Sequence, residues 1–81
     1  MIALRDPFER SIAEQLRIYT DESLVTQTEL AARTGISQSQ ISKLFRAERH
    51  MTLSQLRALC GALGLSVVTI VSAAADEADR S

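Results

Sequence analysis

Apolar residues recur along this chain at helical spacing, and a helix-starting signal precedes each run. Ile12, Leu16 and Tyr19 fall at i, i+4 and i+7, a stripe that faces a core when the segment is helical. Before them stands Asp6-Pro7-Phe8-Glu9, with an N-cap acid, Pro at the first helical position and Glu at the third. A first helix is therefore predicted to about Asp21. Thr26-Gln27-Thr28-Glu29 is a capping box, opening a second helix that turns Leu30 and Ala31 inward and stops at Thr34-Gly35. Ser37-Gln38-Ser39-Gln40 is a third start, leading to a helix that buries Ile41, Leu44 and Phe45 and runs to about Arg46. Thr52-Leu53-Ser54-Gln55 is a fourth, with Leu53, Leu56, Leu59, Cys60 and Leu63 facing the core and Gly64 ending the helix.

The stretch 65–72 reads two ways. Its β-branched residues from Val67 to Val71 favour a strand, while the spacing of Val67, Ile70 and Val71 also suits a short fifth helix. The strand is the preferred reading. A lone strand in a helical chain leaves an unpaired edge, which a twofold mate satisfies by antiparallel pairing. Leu65, Val67, Val68, Thr69, Ile70 and Val71 are accordingly assigned to a homodimer contact. The alanine-rich, acidic end, 73–81, is expected to fray. No internal repeat, linker or low-complexity stretch divides the chain, so 1–81 is taken as a single domain.

Composition narrows the chemistry. A domain of 81 residues buries a modest core and gains from outside support. Cys60 is the one cysteine and His50 the one histidine, so neither a disulfide nor a metal cluster supplies it. A partner chain remains. Cys60 lies in an apolar run and is expected to pack as a small hydrophobe, which suits a reducing compartment. No signal peptide is expected, and Val67 to Val71 is too short to cross a bilayer, so the expected location is the cytoplasm with no membrane partner. No paired carboxylates, nucleophile–base set or phosphate loop appears, so no enzyme, cofactor or small-molecule ligand is expected.

The net charge of −1 speaks mildly against a nucleic-acid partner, but its distribution does not. Between Thr26 and Arg57, Arg33, Lys43, Arg46, Arg49 and Arg57 stand against Glu29 and Glu48, a local excess of +3. The remainder carries four arginines against eight acids. A positive middle third can still meet phosphates.

The second and third helices are joined by only Gly35, Ile36 and Ser37, the spacing of a helix-turn-helix over 27–46. Gly35 supplies the left-handed turn residue, Ala31 the small residue at the crossing, Ile36 the plug and Ile41 the anchor. Thr26 through Phe45 resembles the helix-turn-helix of the Cro and lambda-repressor (XRE-type) family, and the likeness continues to Gly64. It implies an all-α bundle of four or five helices that binds double-stranded DNA, usually as a dimer. The optional C-terminal strand resembles that of HipB-type antitoxins.

Carried over position by position, the resemblance gives base reading to Gln38, Ser39 and Gln40, with Ser42 and Lys43 at the groove wall. Gln38 has amide geometry suited to adenine. Phosphate contacts fall to Gln27, which can also brace Gln38, to Ser37 at a helix start, and to Arg46 and Arg49 just past the third helix. One position departs: Leu24 stands where the family usually has Gly between its first two helices. Three functions stay open: a transcriptional repressor on an inverted repeat, preferred; an antitoxin that neutralises a toxin partner and regulates its own operon; and a helical module that binds protein alone.

Overall fold

The computed structural model describes residues 6–80. Every regular element among them is a helix: α1 (Pro7–Ser23), α2 (Gln27–Thr34), α3 (Gln38–Phe45), α4 (Leu53–Leu63) and α5 (Val67–Arg80). All five feed one core, in which Leu16, Leu30, Ile41, Leu44, Leu59, Cys60 and Ile70 are fully buried. Burial pushes the Cys60 thiol pKa up from its ordinary value, because the charged thiolate is costly among aliphatic neighbours.

The starting signals work as local chemistry. Asp6 caps α1 by accepting from the Phe8 N–H at 3.1 Å, and full capping boxes open α2 at Thr26 and α4 at Thr52. At Ser37 half of the box forms: its hydroxyl accepts from the Gln40 N–H at 3.1 Å. Helix ends are turned by left-handed residues: Leu24 (φ 63°), Gly35 (φ 76°), Ala47 (φ 56°) and Gly64 (φ 71°). At Gly64, Leu65 N–H donates to Cys60 O at 2.8 Å and Gly64 N–H to Gly61 O at 3.3 Å, a Schellman pair that ends α4. The chain then turns by 114° into α5.

The expected strand over 65–72 is instead the start of α5, and the end expected to fray is helical through Arg80. Ser81 and residues 1–5 of the expected domain lie outside the described residues. The reason is packing. Val67, Ile70, Val71 and Ala74 make an i, i+3, i+4, i+7 stripe, with Ile70 and Ala74 buried and the two valines packed against the core. α1 is the main neighbour of α5, and Gln15 Nε2 donates to Ile70 O across them at 3.1 Å. β-Branched residues lose only a few tenths of a kcal/mol each in a helix, whereas burying one isoleucine contributes about 1.5–3 kcal/mol. Of the residues assigned to strand pairing, Ile70 is therefore in the core, Leu65, Val67 and Val71 pack against it, and Val68 and Thr69 face outward.

Two further inward assignments are corrected. Leu53, at the first position of α4, is 84% exposed. On α1 the inner stripe continues through Thr20, not Tyr19. The Thr20 hydroxyl donates to Leu16 O at 2.7 Å, which satisfies it within the helix.

Candidate nucleic-acid interface

The connection from α2 to α3 is three residues long, and hydrogen bonds hold it at both ends. Gly35 N–H donates to Ala31 O at 2.9 Å, closing α2. Thr34 Oγ1 donates to Leu30 O at 2.7 Å and accepts from the Ile36 N–H at 3.2 Å, so the first two N–H groups of the turn are both satisfied by α2. Ile36 is then free to insert its side chain into the core, and Ser37 caps the next helix. Ile41, Leu44 and Phe45 are buried beneath α3, which fixes what the opposite face shows.

That face is polar. Gln38, Ser39 and Lys43 are exposed, while Ser42 and Gln40 are half-buried. Ser39 and Lys43, four apart, share the outermost line of the helix, and Gln38 and Ser42 share the next line. The structure therefore brings four of the five residues expected at the base edges and groove wall onto one continuous surface. Gln40 lies on the other flank of α3. Lys43 has no ion pair among the described residues, so its charge is unspent.

The expected phosphate contacts divide. Gln27 opens α2, half-buried, and Ser37 uses one lone pair of its hydroxyl as the α3 cap while keeping its hydrogen. Arg46 is already engaged: Nε meets Glu48 Oε2 at 2.9 Å and a terminal nitrogen meets Oε1 at 3.5 Å, a fork that a phosphate would have to displace. Arg49 is exposed and has no ion pair among the described residues. Nearby, His50 Nδ1 lies 2.8 Å from Glu9 Oε1, which ties the loop after α3 to the first turn of α1.

One contact escaped the sequence reading. Thr28 Oγ1 donates to Gln38 Oε1 at 3.3 Å, so the hydrogen bond from α2 to the start of α3 is made by Thr28 rather than by the adjacent Gln27. Neighbouring positions in a first helical turn look alike in one dimension, and no spacing rule separates them. No group of three His, Cys, Asp or Glu side chains that could hold a metal occurs among the described residues. No single helix there is long and apolar enough to cross a membrane.

A glycine-turned pair of short helices, set on a five-helix core with a polar face on the second, defines a helix-turn-helix domain. The chain belongs to the Helix-turn-helix family HTH_3, which it matches over residues 11–70. It is similar to an immunity repressor protein of Bacillus phage phi105, 31% identical over 61 residues that make up 75% of this chain and 42% of that protein. It is also similar to an uncharacterised HTH-type transcriptional regulator, y4dJ, of Sinorhizobium fredii. There the identity is 43% over 51 residues, 63% of this chain and 66% of the relative. The matches thus span less than two thirds of either relative's length.

Proposed function

We propose that this chain is a DNA-binding transcriptional repressor that lays α3 in the major groove, two copies reading the halves of an inverted repeat. The observation that carries the reading is the outer face of α3. Gln38, Ser39 and Lys43 stand exposed above three buried anchors, on the second helix of a helix-turn-helix. Amide and hydroxyl groups suit base edges, and an unpaired lysine beside them suits the phosphate wall. Two relatives named as a repressor and a transcriptional regulator support the same direction. Half-sites are expected about 34 Å apart, one turn of DNA. Bound across a promoter, the dimer would exclude polymerase. Val68 and Thr69 are the outward members of the segment assigned to the dimer contact, so that contact is now proposed through the surface of α5. The antitoxin alternative has no observation of its own in its favour.

The test is selection of bound sequences from a random DNA pool, for the wild type and for Gln38→Ala. The wild type is expected to return a two-half-site consensus. Gln38→Ala is expected to lose about 1–3 kcal/mol on it and to relax preference at one base pair of each half-site. An unchanged consensus in the variant would remove Gln38 from the readout face, and no enrichment at all would remove the function.

A further inference from the structure

We propose that Thr28 is a positioning residue for Gln38: its hydroxyl holds Oε1 and thereby decides how the amide meets a base. The inference rests on the reading in which Gln38 contacts a base edge. Thr28 sits in the first turn of α2 and Gln38 opens α3, ten residues on, and their side chains meet at 3.3 Å. The contact joins the two helices at the edge of the polar face rather than in the core. Both side chains are exposed, so neither is held there by burial. Thr28 is free for the task because Thr26, and not Thr28, makes the capping box of α2.

The amide of a glutamine has a donor end and an acceptor end, and a free side chain can present either. With the Thr28 hydroxyl donating to Oε1, the acceptor end is held toward α2 and Nε2 is turned away from it. One lone pair of Oε1 remains. That arrangement suits adenine, whose N7 accepts from Nε2 and whose N6 amino group donates to the remaining lone pair. Guanine offers two acceptors at O6 and N7, and so leaves the remaining lone pair of Oε1 without a donor from the base. Thr28 thus restricts the base that Gln38 selects without touching DNA. It also leaves Gln27 free for the phosphate contact expected of it.

The experiment compares base preference at the Gln38-dependent position for wild type, Thr28→Val, Thr28→Ser, Gln38→Ala and the Thr28→Val/Gln38→Ala pair. Selected DNA and its single-base variants serve as probes. Thr28→Val keeps the shape and removes the hydroxyl; its preference for adenine is expected to fall roughly threefold, the scale of one exposed hydrogen bond. Thr28→Ser is expected to restore it. In the Gln38→Ala background, Thr28→Val is expected to change nothing further at that position. Thr28→Val lowering affinity equally for all bases, or acting with Gln38 absent, would make Thr28 a backbone contact and overturn the proposal. So would a preference indifferent to Thr28→Val while Gln38→Ala flattens it. A preference indifferent to Gln38→Ala itself would instead strike the underlying reading of the face.

Discussion

The two turns that flank α2 share one pattern of residue classes and depart from it at a single position. Before α2 the chain runs Ser23-Leu24-Val25-Thr26-Gln27, and after it Thr34-Gly35-Ile36-Ser37-Gln38. In each, a hydroxyl residue donates back into the helix it ends and accepts from the N–H two residues on: Ser23 bonds Thr20 O and Val25 N–H, and Thr34 bonds Leu30 O and Ile36 N–H. A left-handed residue follows, then a β-branched aliphatic turned toward the core, then a hydroxyl N-cap, then a glutamine. At the left-handed position the second turn has Gly35 and the first has Leu24. A left-handed conformation costs a residue with a Cβ roughly 1–2 kcal/mol, and glycine escapes that cost. Leu24 gains nothing visible in exchange, since its side chain is 88% exposed. The turn that leads into α3 is thus relaxed, while the turn that leads into α2 is strained.

The largest effect expected from this comparison is at the relaxed turn. A β-branched residue is the least tolerant of positive φ, so Gly35→Val is expected to lose about 2–3 kcal/mol in urea denaturation. A Cβ there meets nothing within 4 Å, so the loss is charged to the backbone and not to a clash. Stability unchanged in that variant would mean that the turn does not need its left-handed residue.

How much of this was legible follows from where the controlling physics lies. Helix starts were legible because a cap is a contact within four residues, and Thr26, Ser37 and Thr52 all act as such. Gly35 and Gly64 marked helix ends for the same local reason. The polar face of α3 followed from its buried triad once the period was known. The stretch 65–72 reads as a strand because the deciding term is not local: Ile70 is buried in a helix packed on α1, and its hydrogen-bond partner Gln15 is 55 residues away in sequence. The Arg46–Glu48 fork and the Thr28–Gln38 contact were invisible for a further reason, being set by the exact exit of one helix and the crossing of two. The sequence marks Leu24 as a departure from the family's glycine, but its left-handed φ, exposure and strain need coordinates.

A smaller effect, of opposite sign, is expected at the strained turn. Leu24→Gly relieves roughly 1–2 kcal/mol of backbone cost but adds a flexible residue to the unfolded chain, which takes back about 0.5–1 kcal/mol. A net gain of about 0.5–1 kcal/mol is expected, measured as a higher urea midpoint at unchanged slope. DNA affinity is expected to stay as it is, since the recognition turn is untouched. A loss of stability would show that Leu24 makes a contribution beyond its φ, against its exposure.

The smallest effect discriminates most sharply. Exchanging the two residues, Leu24→Gly with Gly35→Leu, leaves composition unchanged, so the entropy that glycine adds to the unfolded chain cancels. The left-handed cost moves from one end of α2 to the other, about 12 Å along an eight-residue helix, far enough for the two effects to add. A leucine at position 35 has open space around its Cβ, as Leu24 has around its side chain. If the left-handed geometry is all that either turn asks of its residue, the exchanged protein unfolds within about 0.5 kcal/mol of the wild type. A loss approaching that of Gly35→Val would mean that the two turns are alike in hydrogen bonding but not in load. Glycine before Ile36 would then be required by how α3 is held, and the likeness between the turns would end at their hydroxyl bonds.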